Sequence, residues 1–81
     1  MTGRLPSVSS DEVIKALRRA GFAYAPKRGK GSHIALYKIE EGGKKQLVII
    51  PKRKDIPKGT LHAILGQAGI TKEDFIHLLK G

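Results

Sequence analysis

Three histidines, seven carboxylates and no cysteine are the groups from which this 81-residue chain can build chemistry. The missing cysteines exclude a disulfide scaffold, a thiolate zinc site and a cysteine nucleophile together. His33, His62 and His77 are too far apart for the three- or four-residue spacing of a helical metal site, and no carboxylate cluster accompanies them. No metal and no cofactor is therefore expected. His62 and His77 read as ordinary surface or half-buried helical residues. His33 differs by what precedes it: Lys30-Gly31-Ser32-His33 joins a cation, a residue open to close backbone approach, a hydroxyl and an imidazole. Glycine-loop N–H groups can cradle a phosphate oxygen, Lys30 can neutralise it, and an imidazole exchanges protons near neutral pH. In RNA the attacking group is already present as the 2′-hydroxyl beside the scissile phosphate. The protein then needs a proton acceptor or donor, positioning and positive charge. One such group supplies about 10²–10⁴ in rate, which describes a slow nuclease. A competing reading, in which His33 only begins a strand and hydrogen-bonds locally, stays open on residue type alone. Ser32 as a nucleophile is weak, because no Asp or Glu lies between Glu12 and Glu40 to orient a triad.

The charge points the same way. Sixteen Lys and Arg against seven Asp and Glu give a formal net charge of +9. Seven cations and no acid lie between Val13 and Ile39, and six cations with only Asp55 lie between Lys44 and Lys58. Such a field attracts polyanions, nucleic acid first. An acidic protein partner or an anionic membrane surface also fits it, and the bland reading is a surface that merely keeps the protein soluble. No apolar run approaches the roughly 20 residues needed to span a bilayer, and no signal-peptide core opens the chain. A cytoplasmic protein with no membrane role is expected.

The elements that must position these groups read as one domain over residues 1–81, with 1–8 expected to be flexible. Ser9 and Glu12 form a capping box before the stripe Val13, Ile14, Leu17 and Ala20, and Gly21 stops that helix. Phe22 to Arg28 reads as a short strand that Pro26 limits to an edge, followed by a basic glycine loop. His33 to Ile39 is a second strand, 40–43 a turn, and Lys44 to Ile50 a third strand ended by Pro51. Pro57 begins a second helix along Leu61, Ile64, Leu65 and Ala68, which Gly69 closes. Thr71 caps a short third helix, with Ile70 and Phe75 spaced as a hydrophobic staple. The class is α+β: a three-stranded antiparallel meander with its helices on one face. Alternation groups His33 with Ala35, Tyr37 and Ile39 against Ile34, Leu36 and Lys38, without saying which set faces the helices.

Gly31-Ser32-His33 opening a strand, Val48-Ile49-Ile50-Pro51 closing one, and Pro57-Lys58-Gly59-Thr60-Leu61 followed by Ile64-Leu65, Gln67-Ala68-Gly69-Ile70 and Phe75 resemble the HicA toxins. These are small RNA-cleaving toxins of bacterial and archaeal toxin–antitoxin pairs, and the resemblance runs from the first helix to the C-terminus. It implies a fold like the double-stranded RNA-binding domain, α-β-β-β-α. It implies a ribosome-independent mRNA endoribonuclease, with the catalytic histidine falling on His33, and a HicB-type antitoxin that covers the site and represses the shared operon. In one place the chain departs from the pattern. Several relatives carry a second histidine two residues after the strand-ending proline, where this chain has Arg53.

The leading expectation is thus a type II toxin that cleaves mRNA without metal, using His33 as general acid or base. Lys30 and the backbone of Gly31 and Ser32 would hold the phosphate. Lys27, Arg28, Lys52, Arg53, Lys54 and Lys58 would guide the RNA, with Lys58 at a helix N-terminus suited to phosphate. The toxin is expected as a monomer within a hetero-oligomeric complex. The alternative is a non-catalytic double-stranded RNA-binding module that needs His33 only for contact. A third reading, a protein-interaction piece whose charge matches an acidic partner, is compatible with the first.

Overall fold

Ser9 and Glu12 set the start of the first helix, α1 (Ser10–Arg19), by reciprocal bonds. The Ser9 hydroxyl accepts from the Glu12 N–H at 3.2 Å, and the Glu12 carboxylate accepts from the Ser9 N–H at 2.9 Å. Asp11 and Glu12 in the first turn and Arg18 and Arg19 in the last match the helix dipole. The computed structural model describes residues 5–25, 31 and 33–81. Within that range the order is α1, three strands, then α2 (Lys58–Ala68) and α3 (Lys72–Lys80). This is α+β with the α-β-β-β-α arrangement of a double-stranded RNA-binding domain, extended by one short helix.

The strands β1 (Ala23–Tyr24), β2 (His33–Ile39) and β3 (Lys45–Pro51) pair antiparallel in chain order. β1 is shorter than the stretch Phe22 to Arg28 that the alternation predicts. The Phe22 N–H is already bonded to the Leu17 carbonyl at 3.0 Å as part of the helix stop, so pairing begins one residue later. One further bond, Ala25 N–H to the Ala35 carbonyl at 2.9 Å, extends the ladder, and 26–28 lie outside the described residues. β3 is displaced by one residue from the predicted Lys44 to Ile50. Lys44 closes the hairpin instead, its carbonyl accepting from Glu40 N–H at 2.7 Å.

Leu36 opposite Val48 and Ile34 opposite Ile50 turn toward the helices, which resolves the ambiguity of the alternation. Leu36, Val48 and Ile50 pack in one core with Val13, Leu17, Leu61, Ile64 and Phe75. Lys38 shares that side half-buried and partnered: its ammonium donates to the Ala20 carbonyl at 2.8 Å and lies 5.8 Å from the centre of the Phe22 ring. His33, Ala35, Tyr37 and Ile39 therefore share the other face with Leu47 and Ile49. Among the described residues no helix lies on that face, and Ile39 is 60% exposed. α2 runs beside β3, where the Gln67 side-chain carbonyl accepts from the Ile49 N–H at 3.3 Å. Gly69 ends α2 at φ +69°, and a Cβ there would also meet Gln46 at 2.7 Å. Thr71 caps α3 through the Asp74 N–H at 3.1 Å. Arg19 holds the far end of α3, donating to the Leu78 carbonyl at 2.6 Å.

Within the segment 1–8 that the sequence leads one to expect flexible, residues 5–8 pack against the rest of the fold. Leu5 and Val8 belong to the core, the Val8 carbonyl accepts from buried Ile56, and the Lys58 ammonium donates to the Leu5 carbonyl. Apolar burial, about 2 kcal/mol for a leucine, holds the segment down. Leu5→Ala is accordingly expected to cost about 2–5 kcal/mol, read as a lowered urea midpoint at unchanged slope. An unchanged midpoint would show that the segment adds nothing to the fold.

Candidate nucleic-acid interface

His33 opens β2 directly opposite Pro51, the last residue of β3. The pairing brings the chain that leaves β3, starting at Lys52, to the same end of the sheet as the imidazole. His33, Gly31 and Lys52 are all exposed there. With Tyr24, Ala25, Ile34 and Ala35 they line a depression of about 270 Å³. Gly31 has φ +56°, and a Cβ on it would meet open space. Its requirement for glycine is thus conformational rather than one of room.

A second depression of about 350 Å³ adjoins the first across Ile34 and Lys52, and adds Ser9, Ser10, Asp11, Arg53 and Lys54. Its shape depends on a contact between residues 43 apart in the chain. The buried Ser10 hydroxyl accepts from the Arg53 N–H and donates to the Arg53 carbonyl, both at 3.2 Å. The Ser10 N–H donates to that same carbonyl at 2.9 Å. Three bonds therefore fix the backbone of Arg53 on the first turn of α1, while the Lys52, Arg53 and Lys54 side chains stay exposed. Three neighbouring cations thus stand on a stretch of backbone that the fold already holds at Arg53, an arrangement that can meet an anion with little further ordering of the loop.

The predicted residues separate as follows. His33, Gly31, Lys52, Arg53 and Lys54 come together at this end of the sheet. Lys58 lines neither depression, its ammonium being engaged with the Leu5 carbonyl. Lys27, Arg28, Lys30 and Ser32 lie outside the described residues. Tyr24 and Ser10 line the site although the sequence reading gave them no role in it. Tyr24 carried no signal beyond a strand aromatic, and the partner of Ser10 is remote in sequence. His62 and His77 are exposed on α2 and α3. His77 borders a roomier hollow of about 550 Å³ between the end of α1 and α3. The guanidinium facing that hollow, Arg19, already holds the last carbonyls of α3. Among the described residues no three His, Asp or Glu side chains are grouped to hold a metal ion.

None of the curated proteins compared with the chain matches it. A family model described as the HicA toxin of bacterial toxin–antitoxin systems matches residues 10–70, from the first residue of α1 to the residue before the cap of α3. That span holds β2, β3, His33, the Ser10–Arg53 tie, the whole lining of the first depression and all of the second but Ser9. With the helix–sheet–helix order and the basic end of the sheet, it shows that the chain belongs to the HicA toxin family.

Proposed function

We propose that this chain is the toxin of a type II pair and acts as a metal-independent mRNA endoribonuclease with His33 as its general acid or base. The observation that carries this reading is the exposed imidazole at the start of β2, in one depression with Lys52 and Gly31. His33 takes the proton of the 2′-hydroxyl as it attacks the neighbouring phosphorus while water protonates the departing 5′-oxygen, or it protonates that oxygen while water takes the hydroxyl proton. The attack forms a new P–O bond as the P–O bond to the next nucleotide breaks. Lys52 lies where the phosphate gathers negative charge, and Arg53 and Lys54 continue the cationic track. Lys30 and the Ser32 backbone are assigned the same phosphate by their place in the loop before His33. Arg53 occupies the position at which some relatives carry histidine, and it contributes charge, not proton transfer, since a guanidinium stays protonated.

The partner is a HicB-type antitoxin that covers this basic end and leaves the toxin monomeric within the complex. No helix among the described residues is long and apolar enough to cross a membrane, and the substrate places the protein in the cytoplasm.

His33→Ala is expected to lower cleavage of a long unstructured RNA in EDTA by about 10²–10⁴, with RNA binding retained on a native gel. Wild-type protein that binds duplex RNA and cleaves nothing would overturn the enzyme reading and leave a double-stranded RNA-binding module, which the fold alone also fits.

Binding to single strands is expected to weaken with a log–log salt slope near −4, the value for about six neutralised phosphates. Lys52→Gln should flatten the slope by about 0.7. A slope unaltered in this variant would remove Lys52 from the RNA track.

A further inference from the structure

Tyr24 is placed unlike the other aromatic residues of this protein. Its register opposite Leu36 puts it on the helix-covered side of the sheet, as is Phe22 two residues earlier. Phe22 is 3% exposed and belongs to the core, whereas Tyr24 is 53% exposed. Core packing therefore does not account for the ring. It is nevertheless held: the Arg18 guanidinium, on the last turn of α1, lies 4.9 Å from its centroid. Such a contact fixes the orientation of an exposed ring. Tyr24 is also one of the residues that border the depression at the end of the sheet, with His33 and Lys52. Small residues, Ala25 and Ala35, also line it and are joined by the bond from Ala25 N–H to the Ala35 carbonyl at 2.9 Å.

From this arrangement we infer that Tyr24, held by Arg18, is a stacking platform for an unpaired nucleobase next to the phosphate at His33, so that the substrate is single-stranded RNA. The inference rests on the ribonuclease reading and narrows it. A tyrosine ring offers a flat apolar face with few rotatable bonds, and every nucleobase has a π-face to lay on it. Arg18 adds a cation to the stack. In a duplex the same base is already stacked and paired, and only a splayed nucleotide can reach the ring. The depression of about 270 Å³ suits a single flat group better than a helix. Tyr37 has no such place: it stands on the open face with the Lys45 ammonium 5.0 Å from its ring, outside the depression.

The test measures binding of a short unstructured RNA and of a duplex of equal length in the non-cleaving His33→Ala background. Cleavage is followed with His33 intact. Tyr24→Ala is expected to weaken single-strand binding by about 5- to 150-fold, with duplex binding and the single-strand salt slope unchanged, because no phosphate contact is lost. Tyr24→Phe should remain within about twofold of the parent, since the ring face and not the hydroxyl is used. Tyr24→Leu, which keeps apolar volume without a π-face, should behave as Tyr24→Ala and carries the test if the alanine variant does not fold. Single-strand binding and cleavage unaffected in Tyr24→Ala or Tyr24→Leu would overturn the platform and leave the ribonuclease reading standing. Equal losses in the phenylalanine and alanine variants, or equal losses for duplex and single strand, would also overturn it. Wild-type protein that binds no RNA would remove both readings.

Discussion

Leu36 lies against Val48 and Ile34 against Ile50, and this pairing of β2 with β3 decides where every group of interest ends up. Side chains alternate along a strand, so a slip of one residue would turn Leu36 outward and carry His33 to the helix side. The buried cluster of Leu36, Val48 and Ile50 under α1 and α2 makes that slip costly. The same register sets His33 opposite Pro51 and so delivers Lys52 to the imidazole. Core and site are thus fixed by one set of contacts. The ends of the paired strands have freedom to carry exposed chemistry because their middles have none.

Around that sheet the polar groups are closely accounted for. Among the described residues no buried side-chain nitrogen or oxygen lacks a hydrogen-bond partner. Several of the bonds are long-range clamps: Ser10 to Arg53, Arg19 to Leu78, Lys38 to Ala20 and Lys58 to Leu5. Three of these four use a cation to hold a backbone carbonyl. A chain with a net charge of +9 therefore spends part of its basic side chains on its own architecture. The cations at Lys52, Arg53 and Lys54 remain exposed, and there the backbone, not the charge, is what the fold holds.

Much of the fold was legible in the sequence where the determinant is local. The Ser9–Glu12 box, the Thr71 cap, the left-handed Gly69 and the limits of β2 each depend on residues a few positions apart. The short β1 was not, because the N–H of Phe22 is drawn off by Leu17 in the preceding helix. Neither was the burial of Leu5 and Val8, which depends on Ile56 and Lys58 some fifty residues on. At the site, Gly31 and His33 could be picked out because they stand together in a recognisable motif. Ser10 and Tyr24 could not, since each acquires its place only when distant segments meet. Lys58 shows the converse: a helix-start lysine suited to phosphate by type is engaged by a carbonyl at the N-terminal end of the core.

The seal along β3 has a consequence for how any other molecule can attach. An open sheet edge invites a foreign strand, because its unpaired N–H and C=O groups are a template for addition. Here α2 lies along β3, and Gln67 takes the outward N–H of Ile49. At the opposite margin, among the described residues, β1 offers two residues and the bonded Ala25, a short ledge for a guest strand to grip. β-Augmentation is thus obstructed at Ile49, in the second half of the longer edge. A guest strand pairing along β3 would first have to displace Gln67 from the Ile49 N–H.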